Sequence, residues 1–258
     1  MPGDPLERRA RESRTVSKRF EPIVLCYHAV SERWEHRLAV PPQALARQVR
    51  LLLRRRYRPV PAAAVAAGRG RLLHVTFDDA FQSTLDALPA LELLGVPATV
   101  FACAGLADGG LPFPVLTSAD VGTTNEADLR TLDWDGLREL VERDVEVGSH
   151  TVSHPYLTQL TDAELDRELR ESRERLESEL DRRCRFVAYP YGDHDERVRA
   201  AARAAGYEAA FALPGRARPF DRFGIPRIGI WRKDRTGRVL LKTSACLLYT
   251  SPSPRDRS

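Results

Sequence analysis

Two separate segments of the chain carry side chains whose types and spacing could bind a metal ion. One apolar run ends in the adjacent carboxylates Asp78 and Asp79, and a later apolar run ends in His150, with His154 four residues further on. Two histidines and one aspartate are a common ligand set for a hydrolytic zinc-type ion, and such a site leaves a position open for water. The remaining aspartate could act as a base towards that water. These residues therefore indicate metal-assisted hydrolysis.

The proposed metal ligands are Asp79, His150 and His154, and the proposed base is Asp78. Histidines four residues apart share one face of a helical turn, which would let both imidazoles reach one ion, and Pro155 would end that turn. Adjacent residues on a regular strand point to opposite faces, so the two aspartates are expected where the strand gives way to a loop. Each motif alone is often a helix cap or a solvated helix face, and their combination favours a metal site.

The elements that must position these residues follow an alternating pattern. Seven short apolar runs are typical of strands, and helical patterns fall between them. Strands are predicted at 23–27, 72–77, 98–102, 145–149, 186–189, 208–213 and 227–231, and helices at 42–56, 81–94, 134–142, 161–182 and 194–205. Alternating strands and helices predict βαβ units and a parallel sheet. Seven strands fit a barrel of one α/β domain better than two domains.

Chemically capable side chains follow the ends of the predicted strands. They are His28, Asp78 with Asp79, His150, Tyr191 and Trp231. In (β/α) barrels the carboxyl end of the strands carries the site, so this bias supports a barrel and predicts that these side chains share one face of it.

Several helix boundaries and one loop can also be predicted. Thr161 and Glu164 form a capping box at the start of helix 161–182. Asp193 is expected to cap the helix that follows it, with a place in the lining of the pocket as the alternative. The stretch 105–131 is rich in Gly, Pro, Thr and Asp and predicts a long loop, and loops of that length are often functional.

The formal charge lies mostly at the two ends of the chain. The 258 residues carry +4, of which residues 1–19 hold +3 and residues 246–258 hold +1. The neutral body argues against a nucleic-acid partner, which needs clustered cations. No apolar run is long enough to cross a bilayer, and the amino-terminal stretch lacks the apolar core of a signal peptide. We therefore expect a cytoplasmic protein.

The two ends are expected to lie outside the structured domain, which we place at residues 21–245. Residues 1–20 are predicted to be a basic, disordered tail. Residues 246–258 resemble one reading frame of a transposase-type sequencing-library adapter, so we expect the natural continuation to be lost. A Ser/Pro-rich disordered tail is the alternative. The codons of the coding DNA test the adapter hypothesis, since a different DNA sequence there would exclude it.

Three motifs resemble those of a known family. Residues 76–80 (TFDDA), 150–154 (HTVSH) and 189–192 (YPYG) are similar to the motifs of the polysaccharide deacetylases, the NodB-homology group or carbohydrate esterase family 4. The resemblance covers roughly residues 23–231, and the first two motifs are specific in combination. It implies a distorted (β/α)7 barrel with parallel strands.

The resemblance also implies an activity. It implies hydrolytic removal of an acetyl group from a glycan or amino sugar. An N-acetyl group is favoured over an O-acetyl group. The cofactor would be a divalent metal, zinc first, with cobalt, nickel or manganese as alternatives. By position, Asp78 would be the base, and the backbone N–H of Tyr191 would help to hold the oxyanion. The residues expected to contact the substrate, unless they belong to the core, are Tyr189, Pro190, Tyr191 and Trp231.

Two residues of the family pattern are missing. Many members carry an Arg two residues before the motif's Pro, where it orients the base, and this chain has Ala188 there. Many also carry a late His as general acid, and no His follows His194. Residues 25–30 (LCYHAV) resemble an early Tyr-His motif in a branch that includes poly-N-acetylglucosamine deacetylases. His28 is therefore the proposed acid. The alternatives are that His28 is a structural core histidine, and that the acid is absent or lost with the natural continuation of the chain.

The alternatives to a polysaccharide deacetylase stay open at this point. One is a glycan-binding module without catalysis, suggested by the missing Arg and late His, although a binder would not need Asp78 beside a metal ligand. The others are a deacetylase of a small or lipid-linked amino sugar and a hydrolase of another non-peptide C–N bond.

Overall fold

The computed structural model describes residues 22–68, 70–109, 130–213 and 221–244. Strands and helices alternate along this part of the chain. The strands are β1 (Ile23–Tyr27), β2 (Arg58–Pro59), β3 (Leu72–Phe77), β4 (Ala98–Ala102), β5 (Glu146–Ser149), β6 (Phe186–Ala188), β7 (Ala209–Ala212), β8 (Ile225–Pro226) and β9 (Ile228–Gly229). The predicted end segments 1–20 and 246–258, and most of the predicted loop 105–131, lie outside the described residues.

All of these strands belong to one sheet, and they pair in parallel. The order is β8-β7-β6-β5-β4-β3-β1-β9, with β2 paired to β3 off this path. The end strands β8 and β9 are consecutive in the chain and only Arg227 separates them. The sheet therefore curves until its two edges nearly meet, which confirms the predicted distorted (β/α)7 barrel.

The apolar strand sequences are explained by burial on both faces. Every residue of β1, β3 and β4 is buried. Ile23 and Leu25 of β1 belong to the cluster that includes the helix residues Leu45 and Val49. Val24, between them, belongs to a second cluster with other strand side chains. Alternate residues of a strand thus face the surrounding helices and the barrel interior.

Seven α-helices flank the sheet within the described residues. They are α1 (Pro42–Arg54), α2 (Ala62–Ala66), α3 (Leu88–Leu93), α4 (Trp134–Glu142), α5 (Asp162–Leu180), α6 (Glu196–Ala204) and α7 (Thr236–Lys242). The capping box of α5 is confirmed, because Thr161 and Glu164 satisfy each other's backbone N–H groups. The first half of the predicted helix 81–94 is a 3-10 helix, Gln82–Ala87. None of these helices is long and apolar enough to span a membrane.

The predicted cap of helix α6 is wrong. The helix begins two residues later than predicted, and Asp195 caps it by accepting a hydrogen bond from the backbone N–H of Val198 at 2.8 Å. The carboxylate of Asp193 instead binds the backbone N–H and the hydroxyl of Thr158 at 2.9 and 2.7 Å. Thr158, from another loop, therefore binds the side chain that the local sequence pattern assigned to the helix cap.

The predicted last strand 227–231 is also wrong in its extent. The chain pairs first with β7, through β8, and then with β1, through β9. Arg227 lies at the point where the pairing changes from one edge of the sheet to the other. The stretch therefore forms two short strands, Ile225–Pro226 and Ile228–Gly229, each paired with a different edge, in place of the single predicted strand.

Candidate metal centre and catalytic groups

The two aspartates lie where β3 ends, as predicted. The backbone N–H of Asp78 still pairs with Tyr27 of β1 at 3.0 Å. Asp79 and Ala80 then adopt positive φ angles of 69° and 48°. Residues other than glycine rarely adopt this backbone conformation. This turn breaks the strand alternation and leaves both carboxylates buried at the carboxyl end of the barrel.

The two histidines lie in an irregular loop, so the predicted helical turn is wrong. The backbone N–H of His150 continues the pairing with β4 by donating to Ala102 at 2.8 Å. Thr151 and His154 have φ angles of 72° and 63°, which no right-handed helix contains. The hydroxyl of Thr151 accepts a hydrogen bond from the backbone N–H of His154 at 3.0 Å. A compact loop, and not a helix, therefore brings the two imidazoles together.

The three predicted ligand side chains converge on one point. Asp79 Oδ1 lies 3.5 Å from His150 Nε2 and 3.6 Å from His154 Nε2, and one ligand atom from each residue lies within 4.8 Å of the others. Atoms about 2.0–2.2 Å from a tetrahedral zinc ion lie about 3.3–3.6 Å from one another. The separations from the carboxylate therefore fit a shared divalent ion.

The polar chemistry of this cluster also fits a cation. Asp79 Oδ1 is buried without a hydrogen-bond partner, and a buried acceptor in that state is costly unless something compensates it. Burial, followed by the charge of Asp78, raises the pKa of Asp79 well above its ordinary value. Burial lowers the pKa of His150 and brings that of His154 to about 2. Both imidazoles are thus neutral, with lone pairs available to an ion.

A hydrogen bond to the backbone fixes the orientation of the His150 ring. Its Nδ1 lies 2.7 Å from the carbonyl oxygen of Ala188, and since a carbonyl can only accept, Nδ1 carries the proton. Nε2 is then the acceptor nitrogen and faces Asp79. A hydrogen bond of this kind is the usual device that sets the tautomer and ring angle of a metal-binding histidine.

Arg227 is a functional residue that our sequence reasoning missed. Its guanidinium binds both oxygens of Asp78, with Nη1 at 2.6 Å and Nη2 at 2.8 Å, and Nη1 also donates to the hydroxyl of Thr76 at 3.2 Å. The side chain is fully buried. It provides the contact to the proposed base, Asp78, that the family pattern assigns to an Arg at the position of Ala188.

The ion pair sets the charge of Asp78. Burial alone would raise the pKa of this carboxyl, but the charge of Arg227 and the hydrogen bonds from its guanidinium hold the pKa well below its usual range. Asp78 is therefore ionised at neutral pH and lies 3.9 Å from His150 Nε2. An ionised carboxylate beside the ligand cluster can accept a proton from a neighbouring water.

Glu168 is a second residue that the sequence reasoning missed. It lies on α5 and its carboxylate accepts hydrogen bonds from the backbone N–H groups of Val152 and Ser153 at 2.8 and 3.0 Å. It also accepts one from the hydroxyl of Ser153 at 2.6 Å. One buried carboxylate thus holds the loop between the two histidines.

His28 lies beside Asp78 and stacks on Trp231. Their rings stack with centroids 5.3 Å apart, and ligand atoms of His28, Cys26 and Asp78 lie within 4.8 Å of one another. This trio does not resemble a second ion site, because Arg227 already binds both oxygens of Asp78. Burial raises the pKa of the Cys26 thiol well above its ordinary value, and the thiol donates to Asp78 Oδ2 at 3.4 Å.

The last motif places its residues in different environments. Tyr191 is exposed, and its ring meets that of His154 edge-on with centroids 4.5 Å apart. Tyr189 is fully buried and its hydroxyl donates to the carbonyl of Phe223 at 3.0 Å, while Pro190 is buried as well. The side chain of Tyr189 therefore has no exposed surface to offer a substrate. The substrate contacts assigned to these residues and to Trp231 stay predictions.

Comparison with known proteins agrees with the resemblance of the motifs. Residues 66–210, more than half of the chain, match the family model described as polysaccharide deacetylase. Over 145 residues the chain is 24% identical to YxkH of Bacillus subtilis strain 168, a protein assigned by name to the polysaccharide deacetylases. That match covers 55% of this chain and 45% of YxkH, so the chain spans less than half of the length of this curated relative.

Solved structures share the fold at low sequence identity. The deacetylase PplD of Streptococcus pyogenes, solved in complex with acetate, is 19% identical with a TM-score of 0.71, covering 87% of this chain and 98% of that one. IcaB from Ammonifex degensii is 24% identical with a TM-score of 0.69, covering 87% and 97%. A de-N-acetylase from Aggregatibacter actinomycetemcomitans is 17% identical with a TM-score of 0.68, covering 86% and 99%.

Proposed function

The chain belongs to the polysaccharide deacetylase family, and we propose on that basis that it is a metal-dependent hydrolase of acetylated glycans or amino sugars. We favour an N-linked acetyl group over an O-linked one. Zinc is the first choice of ion, with cobalt, nickel or manganese as alternatives, because two imidazoles and one carboxylate suit zinc. Residues 21–245 would form the catalytic domain.

One observation supports this proposal above the others. Asp79, His150 and His154 converge with ligand-like separations, and the ionised Asp78 lies beside them with both oxygens bound by Arg227. A glycan-binding module would need neither an unpartnered acceptor beside two neutral imidazoles nor an oriented carboxylate. The contact from Arg227 also removes one reason for considering such a module, which was the missing Arg.

The chain's own residues then divide the chemistry between them. An ion bound by the three ligands would supply Lewis-acid chemistry, lowering the pKa of a water and polarising the acetyl carbonyl. Asp78 accepts a proton from the attacking water, and Arg227 fixes the direction of its lone pairs. The backbone N–H of Tyr191 donates to the oxyanion that develops on the carbonyl. The C–N or C–O bond to the sugar breaks, and acetate leaves.

His28 is the proposed acid for the leaving group. Burial lowers the pKa of His28 to about 4, against the opposing charge of Asp78, so the ring is neutral in the free protein at neutral pH. It can protonate the leaving amine or alcohol only after taking up a proton. The source is the proton that Asp78 accepts from the attacking water and passes to His28, whose ring nitrogen lies within 4.8 Å of an Asp78 oxygen. His28→Ala should therefore lower turnover more than metal content, and unchanged turnover would exclude this role.

Two substitutions in adjacent residues test the proposed function. Elemental analysis should find bound metal in the wild type and in Asp78→Asn, and little in Asp79→Ala. Release of acetate from an N-acetylated chito-oligosaccharide should require the metal, stop with a chelator, and fall about 10²–10⁴-fold in Asp78→Asn, the range typical of a lost general base. Because Asn has the shape of Asp, a loss of turnover with retained metal separates the base from the ligands.

The remaining outcomes distinguish the alternatives. Binding of the oligosaccharide without release of acetate would favour a binding module. Metal-dependent release from the monosaccharide alone would favour a small amino sugar as substrate. Full activity after removal of the metal would contradict the proposed function.

A further inference from the structure

Positive charge is concentrated on one flank of the barrel. The charges of residues 21–245 cancel in sum, but residues 36–77 contain nine arginines and neither Asp nor Glu. Helix α5, which packs outside β5, has the opposite balance, with twice as many acidic residues as basic ones. The flank formed by α1 is therefore basic although the body as a whole is neutral.

Three of these arginines form a ridge along the outer face of α1. Arg47, Arg50 and Arg54 are exposed, and spacings of three and four residues place their side chains on one face of the helix. The opposite face is buried and includes Leu45 and Val49. We name Arg47, Arg50 and Arg54 the arginine ridge.

The arginine ridge lacks the acidic partners that neutralise arginines elsewhere on the surface. Within the described ranges, no Asp or Glu forms an ion pair with any of its three members. By contrast, Arg138 of α4 binds Asp135 at 2.8 Å, and Arg170 of α5 binds Asp166 at 2.6 Å. Uncompensated cations of one sign attract anionic partners, so the ridge is suited to binding negative charge.

A surface cavity lies on each side of the arginine ridge. One, of about 370 Å³, opens between α1 and α7, and its lining includes Arg47, Arg232 and Arg235. The other, of about 490 Å³, opens between α1 and α3, and its lining includes Arg47, Arg50 and Ala90. A guanidinium can donate two parallel hydrogen bonds to one phosphate group. Both cavities are therefore suited to phosphate groups.

The acidic residue in the lining of the first cavity does not neutralise these arginines. Asp234 is buried, and its Oδ2 accepts hydrogen bonds from the backbone N–H of Trp231 at 2.8 Å and from Nζ of Lys242. Its Oδ1 pairs with Arg238 at 3.3 Å. The carboxylate is thus already occupied, and the cavity keeps an excess of positive charge.

Two exposed leucines lie on the helices next to the ridge. Leu93 on α3 and Leu241 on α7 are 79% and 58% exposed, and both helices pack against α1. Arginines beside exposed apolar side chains are typical of a membrane-interface segment, in which the cations bind headgroups and the apolar groups reach the acyl boundary. A nucleic acid would bind the cations but gain little from the leucines. The combination favours a lipid surface.

We propose that α1, together with α3 and α7, docks the protein peripherally on a membrane that contains anionic phospholipids. The arginine ridge binds headgroup phosphates, and Leu93 and Leu241 enter the interface on either side of it. This inference does not depend on the proposed function. The docking surface is formed by outer helices, whereas the candidate centre lies at the carboxyl end of the strands, so docking does not cover the centre.

Sedimentation with vesicles tests the docking surface. The vesicles consist of phosphatidylcholine alone or of phosphatidylcholine mixed with phosphatidylglycerol, and one variant combines Arg47→Gln, Arg50→Gln and Arg54→Gln. The wild type should bind the mixed vesicles and not the neutral ones. The ridge variant should bind the mixed vesicles about 100-fold more weakly at low salt, because each cation near an anionic surface adds to the affinity. Salt should weaken binding of the wild type more than binding of this variant.

A second triple variant is the matched control. Arg138→Gln, Arg167→Gln and Arg170→Gln together remove the same charge from exposed positions of α4 and α5, and this variant should bind the mixed vesicles nearly as well as the wild type. Both variants keep the basic residues 1–20, so their difference reports on the ridge. If the ridge variant is less stable to heat than the wild type, Arg50→Glu repeats the test with one exposed side chain.

The leucines and a DNA duplex distinguish a lipid surface from other polyanions. Leu93→Ser combined with Leu241→Ser should weaken binding to the mixed vesicles about tenfold, with an unchanged dependence on salt. Unchanged binding by this variant, or retention of the duplex as strong as binding to the vesicles, would overturn the lipid assignment. Failure of the wild type to bind the mixed vesicles, or an equal loss in both triple variants, would overturn the docking surface itself.

Discussion

The carboxylate half and the histidine half of the candidate centre are held by different kinds of interaction. In the carboxylate half, Asp78 depends on one fully buried guanidinium, that of Arg227, 149 residues away in the sequence. In the histidine half, the loop 150–154 depends on many hydrogen bonds. Its partners are Glu168, the hydroxyl of Ser149 and the backbone N–H groups of Ala104 and Gly105.

This difference predicts how much stability each half loses when one interaction partner is removed by substitution. Removing one partner of a buried ion pair leaves the other charge in a medium that solvates it poorly, which costs about 3–5 kcal/mol. Removing one of several hydrogen bonds usually costs about 1 kcal/mol, because the remaining bonds keep the segment in place. One substitution in the carboxylate half should therefore cost much stability, whereas each single substitution in the histidine half should cost little.

The largest effect is expected for Arg227→Met. It should lower the free energy of unfolding of the metal-free protein by about 3–5 kcal/mol, measured by urea denaturation, because Asp78 keeps a buried and unpaired charge. The double variant Arg227→Met with Asp78→Asn should recover most of this loss, since neither charge remains. A single variant as stable as the wild type would show that Arg227 is not what holds the carboxylate half.

An intermediate effect is expected for Glu168→Ala. The variant loses three hydrogen bonds to the histidine loop and should lose about 2 kcal/mol of stability. Its affinity for zinc, measured by competition with a coloured chelator, should fall about 10–100-fold, as for other residues that orient metal ligands. Glu168→Gln keeps an oxygen for the two backbone N–H groups and should bind zinc nearly as well as the wild type. Wild-type zinc affinity in Glu168→Ala would refute the assigned role.

The smallest effect is expected for Ser153→Ala. Only the hydroxyl contact to Glu168 is lost, and both backbone N–H groups still bind the carboxylate, so the cost should be about 1 kcal/mol or less. Zinc affinity should change much less than in Glu168→Ala. If the two variants lost affinity equally, a single bond would control the histidine loop, and the contrast with the carboxylate half would disappear.

The sequence was sufficient for the parts of the site that lie in local motifs. Asp78 and Asp79 were expected at a strand end, and the structure has them there with the strand alternation broken at Asp79. The parallel barrel was also expected, because continuous apolar runs alternating with amphipathic helices allow few other arrangements. The wrong expectation concerned the path between His150 and His154, where spacing suggested a helix and the loop uses positive φ angles.

The residues that were missed act across long separations. Arg227 stands in an apolar run that reaches Ile230, and a charged residue in such a run is itself a sign of a buried partner. Glu168 gave a similar sign, because it lies three residues after Leu165 and therefore shares the apolar face of α5. In both cases the sequence could mark the residue as unusual, but only the fold identifies its partner. Asp193 shows a different error. The helix-capping rule predicted a local partner for it, but its carboxylate binds Thr158 in another loop.

The join between β8 and β9 has a consequence for the order in which the site matures during synthesis. The ribosome releases every proposed metal ligand, and the proposed base, well before it releases Arg227. Until the final edge strands dock on β7 and β1, the nascent chain has Asp78 without its guanidinium. Alignment of the proposed base by its guanidinium therefore requires that β8 and β9 have docked, and a chain in which they have not docked would have the proposed ligands without an aligned Asp78.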